Sequence, residues 1–163
     1  MTRLLNIGEM LAAQARLFPE RVGARDLERQ LTFGQWNARA CRLANGLTGL
    51  GLEKGDRVAV LAYNALEWAG IYAATAKAGL VAVPINFRLT GPEARFIIEN
   101  SGARALIVED QLTDFIEDIL ADLPITPDRC IAFGKVAAPA GFRAYEDVLA
   151  AALEREPQVV VEP

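Results

Sequence analysis

The stretch KGDRVAVLAYNALEWAGIYAATAKAGLVAVPINFRL, Lys54 to Leu89, decides the fold. It opens with a turn and the apolar run Val58 to Ala62. NALEWAGIYAATAKAG then has helical spacing with scarcely a polar face, and LVAVPI forms a second apolar run. Strand, buried helix and strand within about thirty residues make a βαβ unit, whose crossover is expected to be right-handed. Runs that are continuously apolar, rather than alternating, suit parallel strands covered on both faces. On this reading LVAVPI is a buried strand, and Asn86, Phe87 and Arg88 stand at its carboxyl end.

Toward the carboxyl terminus the same alternation repeats. A helix is expected over Gly91 to Asn100, closed by Gly102, followed by a strand from Ala105 to Glu109. A third helix, Leu112 to Leu123, carries Phe115, Ile116, Ile119, Leu120 and Leu123 on one stripe and leads to a strand over Arg129 to Phe133. GKVAAPAGFRAY reads as a loop, Glu146 to Leu153 as a last helix, and EREPQVVVEP as a tail in which Val159 to Val161 have the composition of a further strand.

Toward the amino terminus, Ile7, Met10, Leu11, Leu17 and Phe18 follow helical spacing until Pro19, and Trp36, Ala40, Leu43 and Leu47 do so before Gly49 and Gly51. Both segments read as amphipathic helices. Between them VGARDLERQLTF alternates loosely about Asp26 to Arg29, as a short edge hairpin does. Four helix starts carry a capping-box pattern, in which a side-chain oxygen accepts an orphan amide hydrogen while Glu or Gln three residues on reaches back: Asn6 with Glu9, Thr32 with Gln35, Asn64 with Glu67, and Thr90 with Glu93. Leu31 and Trp36 flank the second as a hydrophobic staple.

The fold class is therefore α/β: a mostly parallel sheet flanked by helices on both faces, with a short edge hairpin. A chain of 163 residues, 52% hydrophobic and 23% charged, is long enough for one substantial core. A formal net charge of -4 argues against a surface built to neutralise nucleic-acid phosphates or anionic lipid. There is no histidine, and the two cysteines, Cys41 and Cys130, have no metal-ligand spacing, so they read as reduced core residues. Neither a signal peptide nor a membrane span is expected, which points to the cytoplasm.

Few residues suggest chemistry. Gly49, Gly51 and Gly55 superficially resemble a dinucleotide fingerprint, but they end a helix and precede a strand. A phosphate-cradling loop must follow a strand and open a helix, so these are turn glycines. Glu109, Asp110, Asp114, Glu117 and Asp118 offer oxygen ligands, yet a solvated helix face is the simpler account and no metal site is assigned. Asp56 and Arg57 read as turn residues leading into a strand, and Tyr63, Trp68 and Tyr72 as core packing. What remains is Asn86 to Arg88. In open α/β sheets ligands approach the crevice outside the carboxyl ends of the strands. Two readings stay open there: a ligand contact by Arg88, or a turn stabilised by the Asn86 side chain with Arg88 merely solvated.

From Leu31 to Asp110, together with the leading helix that ends in FPERVGA, the order of features resembles the adenylate-forming enzymes, the superfamily of acyl-CoA synthetases, luciferases and peptide-synthetase adenylation domains. The matching parts are a threonine and an aromatic opening a helix, GLEKGDRVAV, Asn and Glu opening a helix, KAGLVAVPIN, and a helix ending before SGARALI. The resemblance covers about half the chain. It implies an AMP-forming acyl-CoA ligase that uses ATP and magnesium to convert a carboxylic acid to an acyl-adenylate and passes the acyl group to CoA. PINFRL looks most like the acyl-CoA ligase branch. In some of those ligases a basic residue at the position of Arg88 contacts the phosphates of the CoA nucleotide, so Arg88 is the one residue carried over.

This sequence departs from the family in lacking the Ser/Thr/Gly-rich phosphate loop ending in Pro-Lys-Gly, the adenine and ribose contacts and the lysine of the mobile C-terminal domain. The resemblance places that loop shortly after a segment like EREPQVVVEP. Residues 1–163 thus read as an N-terminal subdomain of the ligase's large domain, with hairpin and helices in 1–51 and the parallel sheet in 52–163, cut upstream of the nucleotide motifs. No general acid, base or nucleophile is assigned. The expected consequences are that the chain alone neither adenylates a carboxylate nor binds ATP, and that it self-associates through an uncovered apolar face, which light scattering across concentration would detect. The alternative is a stand-alone α/β anion-binding or interaction module without catalysis. A reading frame that continues into a glycine-rich segment ending in Pro-Lys-Gly favours the ligase over that module.

Overall fold

The computed structural model describes residues 6–159 and residue 161, which fall into two compact units. One contains the described residues through Gly55, Asn64–Leu80 and the described residues from Leu149. The other contains Asp56–Tyr63 and Val81–Val148.

In the first unit α1 (Ile7–Leu17) begins at a capping box. Asn6 Oδ1 accepts from the Glu9 N–H at 2.9 Å and the Glu9 carboxylate accepts from the Asn6 N–H at 3.2 Å. The face it buries is Gly8, Leu11 and Ala12, whereas Ile7, Met10, Leu17 and Phe18 are exposed. This corrects the expected apolar stripe. Small residues let α1 approach closely, and a Cβ on Gly8 would stand 2.7 Å from Lys77 Cγ.

A hairpin follows, β1 (Val22–Arg25) antiparallel to β2 (Gln30–Thr32), forming a two-stranded sheet of its own. Thr32 then caps α2 (Phe33–Gly49), with Gln35 reciprocating at 3.0 Å. Ala40, Cys41, Leu43, Ala44 and Leu47 form the buried stripe of α2. The Trp36 indole N–H donates to the Ala69 carbonyl at 2.8 Å.

The last helix of this unit, α3 (Glu67–Ala78), is buried along most of its length and ends at Gly79, whose φ of 68° is the left-handed cap that glycine adopts without strain. Its amino end corrects the expected Asn64–Glu67 box: the helix starts later, and no side chain caps it. Glu67 is engaged elsewhere, accepting from the Arg29 guanidinium at 2.7 and 3.0 Å. Arg29 also binds Asp26 in the hairpin turn, so two carboxylates share one bidentate cation.

The segment after Leu149 is tied down by polar side chains from α2. Arg42 donates to the carbonyls of Leu149 and Ala152 and pairs with Glu154, while Asn45 Nδ2 donates to the Leu153 and Arg155 carbonyls at 2.7 and 2.8 Å. Beyond them, Glu156 accepts from Asn37 Nδ2 at 3.0 Å and from Lys77 Nζ at 2.6 Å. The Lys77 side chain is only 2% exposed and donates also to the Gly8 carbonyl. The expected strand at Val159 to Val161 is not formed by Val159 or Val161; Val160 lies outside the described residues.

In the second unit five strands, β3 (Arg57–Leu61), β4 (Val81–Ile85), β5 (Ala103–Glu109), β6 (Cys130–Phe133) and β7 (Arg143–Ala144), form an all-parallel sheet ordered β4-β3-β5-β6-β7. The short β7 lies within the stretch read as a loop. β4 corrects the buried-strand reading. It is an edge strand, with Val81 48% exposed and Pro84 exposed. Proline lacks the N–H that an interior ladder needs on both sides, so Pro84 fits an edge.

The helices of this unit are α4 (Gly91–Ser101) and α5 (Thr113–Leu120), and α6 (Tyr145–Ala151) follows β7. Residues such as Ile98 and Ile116 pack with Ala59, Leu61, Leu106, Val108 and Cys130 in one core. Val58, Val60, Ile107 and Ile131 on the same strands are also fully buried, which explains why β3 and β5 read as continuous apolar runs. Arg57 opens β3 and donates to the Ser101 and Gly102 carbonyls, both at 2.7 Å, satisfying the end of α4. Gly51 and Gly55, with φ of 80° and 90°, are turn residues between α2 and β3. Among the described residues no helix is long and apolar enough to cross a membrane.

Packing sets the chemistry of Cys41, Cys130 and Glu156. Burial pushes both the Cys41 and the Cys130 thiols up to about 12, so neither forms appreciable thiolate near neutrality. Both should resist alkylation in the native chain at pH 8 and react fully in denaturant, a difference read by mass spectrometry. Burial of Glu156 opposes its ionisation, but the hydrogen bonds from Lys77 and Asn37 outweigh it and hold the carboxyl below its usual range. The stability from this lowered acid is fully present above the ordinary carboxylate range and is lost as pH falls through the depressed folded value. Glu156→Gln, which leaves the Lys77 charge buried without its partner, is expected to cost about 1–3 kcal/mol at pH 7, the half-exposed acid discounting the value for a fully buried pair. Urea midpoints measured from pH 7 to pH 3 should converge for the two chains.

Candidate functional site

Within the sheet unit the chain leaves β3, enters β4 on one side of it, and returns to form β5 on the other side. Successive connections that diverge to opposite sides of a strand open a crevice at the carboxyl ends of the strands, where α/β proteins meet ligands. Here that crevice lies between the ends of β3 and β5. Tyr63 follows β3, Glu109 ends β5, and the Tyr63 backbone N–H donates to Glu109 Oε2 at 2.7 Å across it. Gln111 Nε2 also reaches Glu109, at 3.4 Å.

Asn86, Phe87 and Arg88 leave the end of β4 as an exposed turn. Asn86 Oδ1 accepts from the Arg88 N–H at 3.0 Å, and the Leu89 N–H donates to the Asn86 carbonyl at 3.1 Å. Asn86 is thus a turn-forming residue, its side chain mimicking a backbone carbonyl. The turn presents Arg88, whose guanidinium carbon lies 4.8 Å from the Phe87 ring centroid, within cation–π range. The Phe87 ring meets the Tyr63 ring at 4.6 Å between centroids and 59° between planes. Among the described residues no carboxylate forms an ion pair with Arg88.

Beside this crevice Asp110 braces the loop after β6. Its carboxylate accepts from the backbone N–H groups of Lys135 and Val136 at 2.6 and 2.8 Å. Gly134, with φ of 139°, permits the approach, because a Cβ there would collide with the Asp110 carboxylate. Glu109 and Asp110 therefore bridge strand ends, whereas Asp114, Glu117 and Asp118 lie on α5, opposite its buried face.

The site thus joins Arg88, expected from the sequence, to Tyr63 and Glu109, which were not. Tyr63 and Tyr72 correct the core-packing reading: they are 37% and 45% exposed. Tyr72 stacks on Trp68 at 5.3 Å. The signal that could have found Tyr63 is its place directly after a parallel strand, the position that also singles out Arg88. Chemically, the arrangement offers an always-charged fork over an aromatic face, with no ion-pair partner among the described residues. It suits an anionic oxygen such as a phosphate.

Comparison with known proteins gives this geometry a setting. Residues 11–160 match the family model described as AMP-binding enzyme. Over 104 residues, 63% of this chain and 21% of the relative, the sequence is 43% identical to the long-chain-fatty-acid–CoA ligase FadD13 of Mycobacterium tuberculosis. Over 121 residues, 74% of this chain and 22% of the relative, it is 32% identical to the 3-oxocholest-4-en-26-oate–CoA ligase of Rhodococcus rhodochrous. Among solved structures, the anthranilate CoA ligase AuaEII in complex with anthranoyl-AMP superimposes with a TM-score of 0.86 at 25% identity, covering 95% of this chain and 30% of that one. The N-terminal domain of FACL13 from Mycobacterium tuberculosis superimposes with a TM-score of 0.81 at 33% identity, covering 96% and 38%. The chain spans about a fifth of the length of the curated relatives it matches. With a family model matched along nearly all of its length, on a parallel sheet whose strand ends open at a crevice, this chain belongs to the AMP-binding enzyme family.

Proposed function

We propose that this chain works as part of an ATP-dependent, AMP-forming acyl-CoA ligase. Such an enzyme joins a carboxylic acid to ATP as an acyl-adenylate with release of pyrophosphate, then transfers the acyl group to the CoA thiol with release of AMP. Support comes from the family match and from relatives that are fatty-acid and steroid-acid CoA ligases. In this role the chain contributes scaffold and, through Arg88, one rim of the CoA channel. The observation that carries the assignment of Arg88 is its position: a guanidinium without an ion pair among the described residues, held over Phe87 at the carboxyl end of β4.

The chemistry assigned to Arg88 is electrostatic only. A charge-assisted hydrogen bond to a CoA phosphate binds the acceptor before and during thioester formation, and it has no part in making the acyl-adenylate. Magnesium, in such a ligase, would offset negative charge on the ATP phosphates. Among the described residues no three potential metal-ligating side chains converge, so no residue of this chain is assigned to it.

Two measurements test the proposal. In the complete ligase, Arg88→Ala should raise the KM for CoA about 3- to 30-fold, the worth of a solvated charge-assisted hydrogen bond, while acyl-dependent pyrophosphate exchange keeps its rate. Equal loss in both half-reactions would point to misfolding instead. The carboxylate used is chosen by screening fatty, aromatic and dicarboxylic acids. The isolated 163-residue chain should support no acyl-dependent pyrophosphate exchange; exchange by this chain, free of any longer enzyme, overturns that part of the proposal.

A further inference from the structure

We infer that Tyr63 is a positioning residue for Arg88: its ring holds Phe87 beneath the guanidinium and so aims the cation at the CoA phosphates. The inference rests on the CoA reading of Arg88 for its ligand, but not for its geometry. Three contacts carry it in sequence. The Tyr63 backbone is fixed at the crevice by the 2.7 Å hydrogen bond to Glu109 at the end of β5. The Tyr63 ring then meets Phe87 at 4.6 Å with the planes tilted by 59°, within the range at which aromatic pairs attract. Phe87 in turn lies under Arg88 at 4.8 Å.

Each contact restrains something otherwise free. Phe87 sits on an exposed turn and is itself 36% exposed, so its backbone alone does not fix its ring. Arg88 has its backbone pinned by Asn86, yet a guanidinium on three methylenes samples many rotamers unless a surface holds it. Stacking on an aromatic face holds such a cation while leaving its N–H donors open to an incoming anion, which an ion pair with a carboxylate would not do. A cation ordered before its ligand arrives loses less freedom on binding, and that difference is the contribution made by Tyr63.

The test uses the complete ligase. Tyr63→Ala and Tyr63→Leu should each raise the KM for CoA about 3- to 10-fold with kcat retained, and Tyr63→Phe should restore the wild-type value, since the ring and not the hydroxyl does the holding. With pantetheine, a thiol acceptor without phosphates, the Tyr63 variants should match wild type. An equal loss with pantetheine means a general structural role and overturns the inference. In an Arg88→Ala background the Tyr63→Ala change should add nothing further to KM, whereas full additivity overturns it. A readout that needs no CoA decides the geometry separately. The Arg88 side-chain proton resonances, shifted by the Phe87 ring in the wild type, should move to their positions in Phe87→Leu when Tyr63 becomes Ala or Leu, and an unmoved resonance overturns the inference. If instead Arg88→Ala leaves the KM for CoA unchanged, the CoA reading fails while the resonance still reports on Tyr63.

Discussion

The ladder of β3 with β4 on one side and β5 on the other is the constraint from which the rest of the sheet unit follows. Val58 pairs with Ala82 in β4 and with Ala105 in β5, and Leu61 with Ile85 and Val108. Both edges of β3 are therefore occupied by hydrogen bonds, and its residues from Val58 to Leu61 are buried. In-register parallel pairing brings the carboxyl ends of all three strands to one border. The residues at and after those ends, Tyr63, Asn86 to Arg88, and Glu109 with Asp110, lie along that border for that reason, though forty-six residues separate Tyr63 from Glu109 along the chain. A parallel sheet gathers strand ends in this way because its crossovers return every strand in the same direction.

The helical unit solves a different problem, that of holding a segment with no regular structure. Carbonyls of α6 and of the segment after it are met by donors from α2, Arg42 and Asn45, while Asn37 donates to the Glu156 carboxylate. Lys77 completes the arrangement from α3, joining Glu156 and the Gly8 carbonyl through one buried ammonium. A buried charge of this kind is costly unless paired. Removing either partner would leave the Lys77 ammonium or the Gly8 carbonyl without a contact that the present arrangement of α1, α3 and the segment provides.

The site is legible in the residue order only in part. Arg88 stands out because a cation directly after an apolar strand has no packing role. The Asn86 turn is equally readable, since asparagine before a cation in a break between elements forms such turns through its own side chain. Tyr63 is harder to place, because an aromatic beside a buried helical pattern looks like core. Nothing local distinguishes a tyrosine facing the interior from one facing a strand-end crevice. Glu109 groups with the acids of α5 by proximity along the chain, but it ends a strand and its partner is Tyr63.

Residue order alone settles the elements. Apolar periodicity, three capping boxes and the turn glycines are local signals, and local hydrogen bonding enforces them. The parallel character of the sheet is settled there too, because continuous apolar runs joined by helical crossovers return each strand in the same direction. Three features are fixed only in three dimensions: which strand lies at the edge, which face of α1 is buried, and what Glu67 binds in place of capping its helix. Those outcomes depend on competition between distant partners. Glu67 pairs with Arg29 at the uncapped start of α3, Gly8 and Ala12 allow a closer approach than Ile7 and Met10, and Pro84 withholds a donor that an interior strand would need. The chain carries each partner, but the choice among them is made by which contacts can be satisfied at once.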